Sequence, residues 1–181
     1  MIKTLASKIV YKNKWMTVRE DDVAFANGAQ GIFGVVEKPD FVMIVPFFDG
    51  GFQLVKQYRY PVKKAFWEFP QGSYEDSPET PAEEVARGEL AEETGLHGGQ
   101  LKKIAYFYEA YGYCNQGFHI YLATDFESRG SQQLEETEQG METAFFSIAE
   151  FERMVEKGEI RDAPTISAYG LLKMKKLIWS T

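Results

Sequence analysis

Apolar and polar residues alternate along residues 4–10 and again along 15–25, through Ile9 and Tyr11 and then Trp15, Val18, Val23 and Phe25. That period of two predicts two strands, and Lys12-Asn13-Lys14 between them predicts a hairpin turn. Asn27-Gly28 marks another turn before a third strand near Ile32–Val36, which ends at Pro39-Asp40. Phe41–Phe48 is almost continuously apolar, so it predicts a buried strand, and Asp49-Gly50 returns the chain as Phe52–Tyr58 in a second hairpin. These two are expected to be central strands. In Trp67-Glu68-Phe69 the alternation sends both aromatic rings to the core and Glu68 the other way, where a place in an acidic site, plain exposure or pairing with Arg59 are all open.

The pattern then changes. Thr80-Pro81-Ala82-Glu83 offers a side-chain cap, a proline at the first helical position and a glutamate three residues on, while Gly95 supplies a stop. Strand patterns resume at 104–110 and 118–123, joined by a loop rich in aromatic residues and glycine, Tyr111 to Gly117. Residues 127–142 are polar and acidic, a loop ahead of a strand at Ala144-Phe145-Phe146. Ser147 and Glu150 form a second capping box, opening a helix that buries Phe151, Met154 and Val155 and stops at Gly158. A last helix is expected from about Pro164 through Leu171, Leu172, Met174 and Leu177. Strands interleaved with three helices imply the α/β class: an α/β/α sandwich around a mixed sheet, with an N-terminal antiparallel β extension. The division expected is residues 1–40 for the extension and 41–181 for the main domain.

Composition narrows the function classes. With 181 residues, 44% of them hydrophobic and 15% aromatic, the chain can bury a sizeable core without a staple. A net charge of −7 disfavours nucleic acid or an anionic membrane as partner, and the longest apolar run is far too short to span a bilayer. One cysteine, Cys114, excludes an internal disulfide framework, and the N-terminal residues lack the apolar core of a signal peptide, so the cytoplasm is expected. His97 and His119 lie at no spacing that suggests a nucleophile or a zinc site, and both are expected to be structural.

The candidate chemistry lies in the helix before Gly95. Glu89, Glu92 and Glu93 stand at i, i+3 and i+4, so their carboxylates share one face. Like charges so spaced oppose folding, and the opposition grows if the face is partly buried; a divalent cation relieves it. Oxygen donors alone favour Mg²⁺ (magnesium) or Mn²⁺ over zinc. The plain alternative is a solvated acidic face. Arg87 is expected to pair with Glu83 or Glu84 one turn back. Tyr111 and Tyr113, in the aromatic loop, could grip a planar base or a sugar.

The stretch Gly72–Leu96 resembles the signature of the Nudix hydrolases, G-x5-E-x7-R-E-U-x-E-E-x-G-U with U aliphatic, through Gly72, Glu89-Leu90, Glu92-Glu93 and Gly95-Leu96. It departs in two ways: six residues rather than five separate Gly72 from Glu79 and eight rather than seven separate Glu79 from position 88, and Gly88 stands where the family has arginine. Gln57-Tyr58-Arg59-Tyr60-Pro61 and Trp67–Gly72 are similar to the region before that signature in ADP-ribose pyrophosphatases. The resemblance implies that Glu89, Glu92, Glu93 and the backbone carbonyl of Gln71 hold metal, that Arg59 contacts phosphate, and that Glu68 forms the polar edge of the site. It also implies a catalytic glutamate in the acidic loop, Glu138 or alternatively Glu136, with Glu92 beside it in the catalytic set.

The activity so implied is hydrolysis of ADP-ribose or another nucleoside diphosphate sugar to a nucleoside monophosphate and a sugar phosphate, by a homodimer built through the N-terminal strands. Tyr111 stands where ADP-ribose pyrophosphatases typically have proline, which keeps dinucleoside polyphosphates open as the alternative substrate. A catalytically silent nucleotide-binding protein is the alternative of another class.

Overall fold

The computed structural model describes residues 1–73, 79–134 and 138–178. Three strands come first, β1 (Lys3–Lys12), β2 (Thr17–Ala24) and β3 (Gln30–Glu37), and they form an antiparallel sheet in chain order. Asn13 closes the first turn, its carboxamide oxygen accepting the N–H groups of Trp15 and Met16 at 2.9 and 2.8 Å. β1 is exposed along its whole length.

The main sheet has β4 (Phe41–Phe48) at its centre, with β5 (Gly51–Arg59) on one side and β10 (Gly117–Thr124) on the other. β9 (Gln100–Tyr108) and β12 (Glu142–Ser147) form the ends of the path, while β6 (Lys64–Glu68) extends β5 and the two-residue β7 (Gln71–Gly72) pairs with β4. β4 and β10 run parallel and the other pairs antiparallel, so the sheet is mixed as expected. The β4–β5 turn places Asp49 at φ 48° and Gly50 at φ 71°, both in the left-handed region that the tight Asp-Gly hairpin turn requires.

Among the described residues three α-helices form: α1 (Ala82–Thr94), α2 (Ile148–Lys157) and α3 (Ala163–Met174). The alternation within β4 separates the layers. Met43 and Val45 pack with Phe52, Phe69, Phe118, Phe151 and Leu172 beneath α2 and α3, whereas Val42 and Ile44 pack with Val85, Ala86, Leu90 and Tyr121 beneath α1. The result is an α/β/α sandwich. A further small pair joins β8 (Leu96–His97) to β11 (Ser128–Arg129); strands this short carry no periodic signal.

Two local expectations are corrected. Pro81 rather than Thr80 is the N-cap of α1, because its ψ stays extended at 134°, and without a side-chain acceptor it makes no cap bond; its carbonyl accepts instead from Glu84 and Val85. α3 ends at Met174, and Leu177 reaches the core from beyond a turn in which Lys176 has φ 54°. The Ser147–Glu150 capping box and the Gly95 and Gly158 stops form as read from the sequence. Among the described residues no helix is long and apolar enough to cross a membrane.

Candidate active site

Glu89 and Glu93 lie on the face of α1 that packs toward β4 and β7, at 8% and 3% exposure, and Glu92 beside them is half-buried. β7 crosses their tips. The backbone N–H of Gln71 donates to Glu93 Oε2 at 3.0 Å. A Cβ on Gly72 would sit 2.2 Å from Glu89 Oε1, so glycine lets the Glu89 carboxylate lie where any side chain would push it aside. The helix and the strand before it are thus matched at two successive residues.

Glu68, at the end of β6, is 2% exposed and faces Arg59, at the end of β5. Arg59 donates through Nε to Glu68 Oε2 at 3.2 Å and through a terminal nitrogen to Oε1, a two-pronged pair. The alternation at Trp67-Glu68-Phe69 therefore turns Glu68 away from the Phe69 core but not into open solvent. Arg87 pairs with Glu83 at 2.9 Å, as its spacing predicts.

Electrostatics ties these residues into one cluster. Burial, then the charges of Glu89 and Glu138, push the Glu93 carboxyl well above its ordinary 4.5, against the opposing Gln71 N–H. Burial likewise raises Glu68, with Asp162 adding to the rise and Arg59 and the Gln71 side chain opposing it. Burial works against the Arg59 charge, but Glu68, Asp162 and Glu93 hold its pKa above the ordinary value. Glu138 is half-buried and near enough to act on Glu93. The segment leading to it is tied across the end of α1: Gly130 N–H to Gly95 O at 2.7 Å, Gln132 Nε2 to Glu93 O at 2.6 Å, and Gln133 N–H to Glu92 O at 2.9 Å. Glu136 lies outside the described residues.

Tyr111 and Tyr113 stand in the loop between β9 and β10. Their loop is stitched to β3, with Val36 donating to Tyr113 O at 2.8 Å and Asn115 donating to Val36 O at 3.1 Å, and the two rings are 84% and 62% exposed. Sequence reasoning missed Asp162, the N-cap of α3, whose carboxylate acts on both Arg59 and Glu68. A signal existed: Asp162-Ala163-Pro164-Thr165 has a capping residue before a proline, but nothing in it pointed toward the glutamates.

The NUDIX domain family matches residues 38–169, and the family described as the nucleoside diphosphate sugar hydrolase N-terminal domain matches residues 2–36. The chain belongs to the NUDIX family. It is 28% identical over 177 residues to the ADP-ribose pyrophosphatase of Bacillus subtilis (strain 168), covering 97% of this chain and 95% of that one. It is 30% identical over 166 residues to the ADP-ribose pyrophosphatase of Mycobacterium tuberculosis, covering 91% and 80%, and 23% identical over 177 residues to a methanol dehydrogenase activator of Bacillus methanolicus, covering 97% and 95%. A crystal structure of an ADP compounds hydrolase superposes with a TM-score of 0.83 at 22% identity, over 96% of this chain and 92% of that one, so the two share a fold.

NUDIX hydrolases work with divalent metal ions, and the donor set here suits one. Among the described residues no three His, Cys, Asp or Glu side chains converge into a finished coordination sphere. Two buried glutamates on one helix face do converge on β7, Glu93 on Gln71 and Glu89 on Gly72, and burial combined with mutual repulsion is the condition that a cation relieves.

Proposed function

We propose that this NUDIX protein hydrolyses the pyrophosphate bond of ADP-ribose or a related nucleoside diphosphate sugar, releasing a nucleoside monophosphate and a sugar phosphate. The observation that carries the proposal is the electrostatically linked cluster of Arg59, Glu68, Gln71, Glu89, Glu93 and Glu138 beside β7. Both ADP-ribose pyrophosphatase relatives match over nine-tenths of the chain or more, and the N-terminal family match names the same substrate class.

In this reading Glu89, Glu92 and Glu93, with the backbone carbonyl of Gln71, would hold Mg²⁺ or Mn²⁺, which would supply charge neutralisation for the pyrophosphate and acidification of a water. The chain supplies the rest. Arg59 presents its guanidinium to a phosphate oxygen, and Glu68 holds that guanidinium in one orientation, so the cation is pre-placed before the substrate arrives. Glu138, carried on the segment anchored across the end of α1, accepts the proton of the attacking water. Gly72 keeps Glu89 close to the backbone of β7.

Tyr111 and Tyr113 offer stacking surface for the base or sugar beside β3. The exposed apolar residues of the first sheet, among them Leu5, Ile9, Val10, Ile32 and Phe33, support a homodimer, and a cytoplasmic location goes with the substrate. Initial rates on ADP-ribose, other nucleotide sugars and diadenosine polyphosphates with Mg²⁺ and Mn²⁺, alongside the mass in solution, test the whole reading. The expected result is a dimer that releases monophosphate from nucleotide sugars. A monomer that prefers diadenosine polyphosphates overturns it, and a protein that binds nucleotides without turnover leaves only the binding class.

A further inference from the structure

The stretch Trp67–Gln71 carries both Glu68 and Gln71, and among the described residues β6 pairs as a strand with β5 alone. The backbone donors on its other edge need partners, because buried N–H groups left unsatisfied cost about 1–3 kcal/mol each. They find them in the connection between α2 and the first turn of α3. Trp67 N–H donates to Glu159 O at 3.1 Å, and Phe69 N–H donates to Thr165 Oγ1 at 3.0 Å. The two residues flanking Glu68 are therefore both tied to that connection. Just beyond, Pro70 O accepts from Ile44 N–H at 2.9 Å and Gln71 pairs with Met43, so the segment is held from both sides.

Thr165 is fully buried, and its position is itself fixed: Asp162 caps α3 by accepting the Thr165 N–H at 2.8 Å. A buried hydroxyl at this point fills no apolar need. Valine has nearly the same volume, but it cannot accept from Phe69 and would leave that buried N–H unpaired.

We propose that Thr165, set in place by the Asp162 cap, is a positioning residue for the site: it holds Phe69 and so fixes where Glu68 meets Arg59 and where Gln71 meets Glu93. The proposal rests on the reading that this cluster hydrolyses nucleotide sugars, but its geometric half can be measured without turnover.

Thr165→Val removes the acceptor and keeps the volume; Thr165→Ser keeps the acceptor. Leu172→Val, in the buried part of the same helix, serves as a control for lost stability alone. Thr165→Val is expected to lower kcat for ADP-ribose about ten-fold or more, since small misplacements of catalytic groups are costly. Thr165→Ser is expected to stay within about two-fold of wild type, and Leu172→Val to lose melting temperature with kcat retained. In metal-free protein, NMR should show faster hydrogen exchange at the Gln71 and Phe69 amides in Thr165→Val, and not at these amides selectively in Leu172→Val.

Should Thr165→Val not fold, Asp162→Ala against Asp162→Asn reads the same device, because asparagine still caps and alanine does not. Alanine is then expected to loosen the Gln71 amide and asparagine to leave it protected. Wild-type exchange at Gln71 in Thr165→Val, or in Asp162→Ala where that pair is used, overturns the proposal. So does equal loss in Thr165→Val and Leu172→Val. A wild-type protein inactive on all nucleotide sugars overturns the proposed function instead, and the exchange measurement still decides the positioning role.

Discussion

Glu93→Gln separates what the acidic face does for chemistry from what it does to stability. The side chain keeps its size, and the amide oxygen can still accept the Gln71 N–H that Glu93 accepts at 3.0 Å, so the fold has no reason to change. The charge is lost at a site 3% exposed, where Glu89, Glu138 and Glu68 all raise the carboxyl pKa. Two unit charges one helical turn apart, at about 6 Å and an effective dielectric of about 20, repel by about 3 kcal/mol. Partial protonation and solvent reduce that figure, leaving an expected gain of about 1–3 kcal/mol without metal, or roughly 3–10 °C in melting temperature for a chain of this size. The pH dependence has a definite sign. A carboxyl whose folded pKa lies above its unfolded value contributes stability fully present below the ordinary 4.5 and lost as pH rises through the folded value. The metal-free wild type should therefore lose melting temperature as pH rises across that window, and Glu93→Gln should lose less. Turnover should move the opposite way, falling by about 10²–10³-fold or more as a charged group at the reacting centre is removed. Calorimetry in chelator from pH 4 to 8, paired with monophosphate release from ADP-ribose under Mg²⁺, reads both. Near-wild-type turnover, or a lower metal-free melting temperature in the variant, would refute the reasoning.

Three more outcomes are expected. Gly72→Ala places a methyl 2.2 Å from a Glu89 oxygen, so the Glu89 carboxylate must swing aside, at the low end of overpacking costs, about 1 kcal/mol, and with a marked loss of turnover; unchanged activity would show that the close approach is dispensable. Arg59→Ala leaves Glu68 buried without its partner and should destabilise by about 3 kcal/mol, most of it recovered in Arg59→Ala with Glu68→Gln, which a double-mutant cycle by denaturant melts measures. Gly88→Arg restores the residue found in the family signature and gains helix propensity, so melting temperature should rise by up to a few degrees with activity retained or increased; complete loss of activity in a folded variant would show that glycine is required there.

Much of this protein was legible along the chain because its elements are set by local periods. The continuous apolar run of β4 reports a strand buried on both faces and the apolar spacing in α2 reports which side is buried, while Asp49-Gly50, Gly95 and Ser147–Glu150 mark turns, stops and caps through backbone preferences that act over four residues or fewer. The shared helix face of Glu89, Glu92 and Glu93 is of the same kind, a consequence of 3.6 residues per turn. The start of α1 was misread because Thr80 and Pro81 both suit a helix entry, and only the backbone shows which of them remains extended.

What the tertiary structure decided is which distant residues share the low-dielectric space around those glutamates. The sequence leaves Glu68 open to exposure, to a place in the acidic site or to pairing with Arg59, and only the fold settles it on Arg59; nothing along the chain says that Glu89 approaches Gly72 from the next layer. Asp162 reads in sequence as an ordinary cap, and Tyr111 as part of an aromatic loop; folding brings the first beside Arg59 and stitches the second's loop to β3. The physical reason is that Coulomb and desolvation terms depend on distance and burial in three dimensions, whereas helix and strand periods depend on neighbours along the chain, and only the latter are written in order.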